Sequence, residues 1–96
     1  MPTFDHEDPF FDDYDMLSSA QRRAFKSAVA KFVEDLRRGQ FRTGLRVNKV
    51  RGIVGVWEMT WAVDGRATFS YGASIHDGEP HIIWRRVGTH DIFDNP

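Results

Sequence analysis

The strongest constraint on the fold is an alternation of apolar and polar residues around Asp64-Gly65, over residues 56–72. Alternation with period two is typical of half-buried β-strands, and Asp-Gly is a common hairpin turn. A three-residue loop, 63–65, gives the hairpin one wholly apolar face, whereas a two-residue loop would mix apolar with polar side chains there. Because burial sets the register, we expect the three-residue loop, with Gly65 in a left-handed bulge position. The predicted pairs are Trp57 with Tyr71, Met59 with Phe69, and Trp61 with Ala67.

The apolar face of such a hairpin must be covered, and residues 18–38 predict the helix that covers it. Ser18 and Gln21 fit a capping box at its start. Two arginines in its last turn interact favourably with the negative end of the helix dipole, and Gly39 is a suitable C-cap. One stripe therefore faces the core. Its apolar members recur at helical spacing and are Phe25, Ala28, Val29, Phe32, Val33 and Leu36.

The remaining segments predict a small sheet. Residues 81–87 are interpreted as the last strand, and three consecutive apolar residues within it favour a central strand covered on both faces. Residues 41–52 are basic and form either an irregular strand or a loop, and residues 73–80 form a polar turn. We therefore predict an α+β fold in which one long helix packs on one face of a small twisted antiparallel sheet.

Composition narrows the class of protein. The chain has 96 residues, which predicts one domain spanning 1–96 with a single modest core. It contains no cysteine, which excludes disulfides and thiolate metal sites and suits a reducing cytoplasm. No apolar run approaches the ~18 residues of a membrane span, and the acidic start is unlike a secretory signal. We expect a cytoplasmic protein without a membrane segment.

The charges are strongly segregated along the chain. Residues 1–16, the leader, hold six of the 14 acids and none of the 13 Lys and Arg residues. The leader therefore carries −6, and the body, residues 17–96, carries 13 − 8 = +5. A surplus of this kind can attract phosphates, although solvated surface charge is the commoner explanation. Aromatic residues within the leader indicate that it packs on the body, as a short helix or a strand.

Three stretches of the body resemble the RelE/ParE-like toxin superfamily of type II toxin–antitoxin systems, in an actinobacterial-style branch. They are DLRRGQFRTGLRVNKVRG (35–52), GVWEMTWAVDGRATFSYG (55–72) and IIWRRVGTHDIFDNP (82–96). The resemblance covers roughly residues 18–96. The sequence departs from the family pattern in two places. The usual N-terminal strand is not evident in the leader, and Phe93 lacks the hydroxyl of the tyrosine that is frequent near the C-terminus of family members.

The resemblance implies helices on one face of the sheet and a concave working surface on the other. It implies a toxin that enters the ribosomal decoding site and cleaves mRNA. A small antitoxin is expected to wrap the toxin and mask its site, in a toxin–antitoxin hetero-oligomer. Two other functions stay open, namely ParE-like, non-enzymatic inhibition of DNA gyrase and an inactive member that only binds its antitoxin.

Cleaving RNA without a metal or other cofactor requires a base for the 2′-hydroxyl, an acid for the departing oxygen and cations for the phosphoryl charge. His90 is our candidate for proton transfer, because an unperturbed histidine titrates near ~6.5 and because terminal histidines occur in several family members. A surface histidine bonded to Asp91 or to the backbone is the alternative. The other histidines, His6, His76 and His81, show no convincing ligand spacing, so we expect no metal.

Arg66 and Glu58 lie on the polar face of the predicted hairpin. Arg66 matches an arginine of the family and can bind phosphate through paired donors, unless it is a solvated residue beside Asp64. Glu58 could serve as the base, although a cross-strand role opposite Ser70 is favoured by the pattern. In the predicted register, ~13 Å along the sheet separates the levels of Glu58 and Arg66.

Further cations extend the candidate site. Arg85 is preferred over Arg86 for the groove, because side chains alternate along a strand and Arg86 would share the face of Trp84. Arg85 is therefore grouped with the catalytic candidates, and Arg86 with RNA binding. An RNA-contacting edge is predicted from Arg46, Lys49 and Arg51, for which ordinary solubility is the alternative. The tryptophans of the hairpin could stack on bases, but the pattern places them in the core.

The leader suggests a further hypothesis. Its six acids could lie against the basic groove and weaken nucleic-acid binding until they are displaced. Deleting residues 1–16 would then raise RNA affinity and steepen its salt dependence. Completion of the core by Phe10, Phe11 and Tyr14 is the alternative role of the leader.

Overall fold

A computed structural model of the chain describes residues 2–96 and shows two helices packed on a five-stranded sheet. The helices are α1 (Asp8–Met16) and α2 (Ser19–Arg38). The strands are β1 (Thr3–His6), β2 (Asn48–Lys49), β3 (Trp57–Thr60), β4 (Gly65–Gly72) and β5 (His81–Thr89). Short 3₁₀ helices span Thr43–Leu45 and His90–Asp94. The strand order is β1-β5-β4-β3-β2, with β1 parallel to β5 and the other pairs antiparallel, so the α+β class is confirmed.

Helix α2 forms as its sequence predicts. The Ser18 hydroxyl accepts from the Gln21 N–H at 3.1 Å, and the Gln21 side chain accepts from the Ser18 N–H at 2.8 Å, which completes the capping box. Gly39 ends the helix in the left-handed conformation, with φ 76°. Phe25, Ala28 and Phe32 point into the core, where they meet the apolar face of the sheet.

The predicted hairpin exists, but its register is wrong by two residues. Trp57 pairs with Phe69 and Met59 with Ala67, so the loop comprises residues 62–64 and Trp61 lies opposite Gly65. Gly65 is not in the left-handed region; instead, a Cβ there would lie 2.5 Å from the Trp61 ring. The indole packs over the glycine and donates through Nε1 to the Arg66 carbonyl at 2.9 Å. A two-residue slip preserves the faces, so the apolar and polar sides are as predicted.

The leader contains both a strand and a helix. Strand β1 pairs with the first half of β5, so the N-terminal strand that is not evident in the leader sequence is present in the structure. Helix α1 follows and buries Phe10 in the core. Its Asp13 accepts from the Val87 N–H at 3.1 Å and so satisfies an edge donor of β5 beyond the end of β1. Met1 lies outside the described residues.

Strand β5 lies between β1 and β4, as its apolar run predicts. Thr68 pairs with Arg86 and Phe69 with Trp84, so Arg85 is an extra residue in β5. Such a bulge interrupts the alternation of side chains. The prediction that only one of the two arginines faces the groove is therefore wrong, because both guanidinium groups bond to the segment 95–96.

The sheet has one apolar and one polar face. Met59, Ala67 and Phe69 pack toward α2 and are fully buried. The opposite side, which we call the polar face, carries Glu58, Thr60, Arg66, Thr68 and Ser70. Residues 90–96, the distal segment, lie against this face. Across residues 2–96, no helix combines the length and apolar character needed to cross a membrane.

Candidate active site

A cavity of about 350 Å³ opens on the polar face. It brings together three of the four catalytic candidates and one of the predicted RNA-binding cations. These four are Glu58, Arg66, His90 and Arg51. The rest of its wall is largely apolar and consists of Val50, Ile53, Phe93 and Pro96.

The observed register brings Glu58 and Arg66 closer together than predicted. Glu58 pairs with Thr68 and Arg66 with Thr60, so the two charged residues are diagonal neighbours on one face. Their levels along the sheet differ by two residues, or about 7 Å, instead of the ~13 Å of the predicted register. The alternative role of Glu58, as the partner directly opposite Ser70, is wrong, because Glu58 lies opposite Thr68 in the β3–β4 pair.

His90 begins the distal segment immediately after β5. Its backbone N–H donates to the carboxylate of Asp64 at 3.4 Å, which ties the segment to the hairpin turn. The Phe93 ring meets the imidazole edge to face, with 5.0 Å between centroids. Buried Ile92 lies over Gly88, where a Cβ would come within 3.0 Å of it. These contacts hold an exposed histidine at the rim of the cavity.

Arg66 is held by the hairpin turn. Its Nη1 donates to the carbonyl oxygens of Gly65, Ala62 and Val63, at 2.9, 3.3 and 3.3 Å. The same side chain also borders a larger cavity of about 640 Å³ between α2 and the turn. One nitrogen therefore fixes the guanidinium, while the group as a whole borders two cavities.

The three predicted edge cations lie in different places. Arg51 lines the cavity that holds Glu58 and His90, whereas Arg46 lines the larger cavity beside α2. Lys49 pairs with Trp57 and its Nζ lies 5.5 Å from the centre of the indole ring. Because Trp57 is on the side of the sheet that faces α2, Lys49 is directed away from the polar face.

Arg85 and Arg86 bind protein groups on both sides. Arg86 pairs with Asp13 through Nε at 2.6 Å and Nη2 at 3.1 Å, and this hydrogen-bonded pair raises the pKa of Arg86. Arg85 contacts Glu7 at 3.4 Å. Two of the six leader acids therefore contact the two strand arginines, which agrees in part with the leader hypothesis. Asp13 does so from helix α1, and Glu7 from the connection between β1 and α1.

The roles of two residues in this region are not evident from the sequence. Nothing in the local sequence of Asp13 indicates an ion pair with Arg86, which is 73 positions away. Phe93 lies three positions after His90, and this spacing is the only sequence signal of the ring contact. Among residues 2–96, no three His, Cys, Asp or Glu side chains group as a metal ion would require.

An ion pair with a buried carboxylate lies next to the larger cavity. Asp35 is fully buried and accepts from the Arg42 backbone N–H and from its Nε and Nη2, at 2.8, 2.9 and 2.8 Å. These hydrogen bonds lower the pKa of Asp35 to about 2. The pair fixes the start of the loop that leads to Arg46, and Arg42 and Arg46 both line this cavity.

Comparison with known proteins yields structural matches. No protein-family model matches the sequence, and no curated protein matches it either. A YoeB/ParE toxin from Agrobacterium tumefaciens superposes with a TM-score of 0.67 at 15% identity, over 92% of this chain and 98% of that one. The E. coli DinJ-YafQ toxin–antitoxin complex superposes with a TM-score of 0.65 at 14% identity, over 94% of this chain and 93% of that one. The RelB-RelE complex from Methanococcus jannaschii superposes with a TM-score of 0.61 at 16% identity, over 96% of this chain and 99% of that one. The chain therefore has the fold of the RelE-like toxins.

Proposed function

We propose that this chain is the toxin of a toxin–antitoxin system and that it blocks translation by cutting mRNA in the ribosome. The observation that supports the chemistry is the meeting of Glu58, Arg66, His90 and Arg51 around one cavity. These side chains supply two proton-transfer groups and two cations. Metal-free cleavage of RNA needs these types of group within reach of one phosphate.

In this mechanism, the 2′-hydroxyl of one nucleotide attacks the adjacent phosphorus. Glu58 accepts the hydroxyl proton, the bond to the 5′-oxygen breaks, and His90 donates a proton to that oxygen. Arg66 and Arg51 stabilise the negative charge that builds on the phosphoryl oxygens. Arg66 is suited to this role because its bonds to the turn carbonyls fix the guanidinium before substrate arrives.

The partners follow from the same proposal. The YafQ and RelE structures that share this fold are complexes with DinJ and RelB, so we infer a cognate antitoxin and a hetero-oligomer for this chain. Ribosome and mRNA are the targets, which places the protein in the cytoplasm.

The test is to incubate the purified protein with ribosomes paused on a defined mRNA and to map new 5′ ends. Wild type should cut at the decoding site. His90→Ala should cut at least ~10²-fold more slowly, because it lacks the acid. His76→Ala is the matched control, since His76 is an exposed histidine in the polar turn and should leave the rate unchanged.

The alternatives give different results in the same experiment. Absence of cuts by folded wild type, with translation unimpaired, would contradict the nuclease proposal. A gyrase supercoiling assay would then separate a gyrase inhibitor from a protein that binds only its antitoxin. Equal rates for wild type and His90→Ala would retain the nuclease but remove His90 from the mechanism.

A further inference from the structure

The distal segment occupies the part of the polar face next to the catalytic cavity. The carbonyl oxygen of Asn95 accepts from Nη1 of Arg86 at 2.9 Å. The carbonyl oxygen of Pro96 accepts from Nη2 of Arg85 at 3.2 Å. Two backbone oxygens on adjacent residues thus bind two guanidinium groups at the β5 bulge. Guanidinium donors placed side by side in this way are suited to binding two oxygens of one phosphate.

The residues beneath this segment are incompletely satisfied. The Thr68 hydroxyl lies on the polar face, opposite Arg86, and has no hydrogen-bond partner among residues 2–96 although Thr68 is 0% exposed. Nε of Arg85 is also buried without a partner. Buried polar groups are nearly always paired, so these two groups can each bind an acceptor that the described chain does not supply. The carbonyls of residues 95 and 96 leave both donors unused.

The leader holds the two guanidinium groups in place independently of the distal segment. Asp13 binds Nε and Nη2 of Arg86, and Glu7 contacts Nη1 of Arg85. The donors left for another acceptor are Nη1 of Arg86 together with Nη2 and Nε of Arg85. Departure of residues 95 and 96 would therefore leave these donors available and their positions supported.

The distal segment also borders the cavity that holds Glu58 and His90. Phe93 and Pro96 form part of its wall. Movement of this wall would extend the cavity toward Arg85 and Arg86.

We propose that Thr68, Arg85 and Arg86 form a binding site for an RNA phosphate, and that the carbonyl oxygens of Asn95 and Pro96 occupy this site until RNA displaces them. The proposal rests on the proposed function in that it names RNA as the ligand. It adds a regulatory step, in which the protein's own segment competes with the substrate for the same donors.

The test compares the full chain with a variant that lacks Asn95 and Pro96, using a fluorescein-labelled ten-nucleotide single-stranded RNA and fluorescence anisotropy. The deletion should tighten binding roughly tenfold, which corresponds to an open population of about one in ten in the full chain. Arg85→Gln in the deleted protein should abolish the gain. Lys31→Gln, which removes an equal charge beside the other cavity, should preserve it. Unchanged or weaker binding by a folded deletion variant would overturn the proposal.

A second measurement uses the intact chain and does not depend on the deletion variant folding. Inorganic phosphate is titrated into ¹⁵N-labelled protein while the Arg85 Nε–H resonance is followed by NMR. A saturable shift at Arg85 and Arg86, absent in Thr68→Val and Arg85→Gln proteins, is expected. Phosphate that shifts neither arginine would contradict the site. Both readouts measure binding, so RNA binding without ribosomal cuts would refute the nuclease proposal and leave this one standing.

Discussion

At the scale of single residues, the fully buried charge lies outside the catalytic candidates. Asp35 is the clearest case, because a fully buried carboxylate is unfavourable unless hydrogen bonds and an opposite charge compensate it. Arg42 supplies both the charge and three donors. The helical pattern of α2 did not identify this aspartate, since the residue that binds it lies beyond the helix end.

The Asp35–Arg42 pair predicts a defined acid sensitivity. The pKa of Asp35 is lowered from 3.8 to about 2 in the folded protein. Its contribution to stability is therefore complete above about pH 4 and is lost as the pH falls toward 2. Asp35→Asn should lower the Tm at pH 7 by roughly 10 °C and flatten the dependence of Tm on pH over this window. Differential scanning calorimetry at several pH values measures both effects, and an unchanged pH profile would contradict the assignment.

At the scale of secondary-structure elements, the hairpin shows how packing selects between registers that the pattern allows. Both the predicted and the observed register put the same side chains on the apolar face, because they differ by two residues. The observed register allows the Trp61 indole to lie over Gly65 and to donate to the Arg66 carbonyl. It also makes Glu58 and Arg66 diagonal neighbours on one face, which brings these two residues of the candidate site together.

Gly65→Ala should therefore destabilise the protein. The new Cβ would lie 2.5 Å from the indole of Trp61, so the ring or the turn must shift, at a cost of about 1–3 kcal/mol. Gly44→Ala is the matched control, because its Cβ would meet no atom within 4 Å. Urea unfolding of the two variants gives the comparison. Equal stability of Gly65→Ala and wild type would show that Trp61 does not pack as described.

At the scale of the whole molecule, the leader is part of the folded domain. It supplies an edge strand, a helix and Phe10 to the core, and Asp13 satisfies the β5 edge. The hypothesis of a displaceable acidic segment is therefore untenable in its original form, although two of its acids do contact the strand arginines. The segment that covers those arginines on the polar face is the distal one, residues 90–96.

Deleting residues 1–16 should abolish cooperative folding, rather than produce a tighter RNA binder. The deletion exposes one side of β5 and removes Phe10 from the core, and a domain of 96 residues has only a marginal surplus of stability. Circular dichroism and proton NMR would report the loss. The doubly substituted Asp12→Asn/Asp15→Asn protein is the control, because both side chains are exposed and it removes two charges while α1 remains. A folded deletion variant would contradict the structural role of the leader.

The sequence by itself determined the local elements and their faces. The capping box and Gly39 bounded α2, alternation separated the apolar from the polar side of the hairpin, and the apolar run placed β5 inside the sheet. Those features follow from periodicity and capping, which are local. Only the tertiary structure decided the pairing register, the bulge that turns Arg85 and Arg86 toward one segment, and the contacts of Asp13. Each of these features depends on side chains that are distant in the sequence and that pack together or share a hydrogen bond. A local sequence pattern does not indicate such contacts. The candidate residues could therefore be named from the sequence, whereas their assembly around one cavity could not.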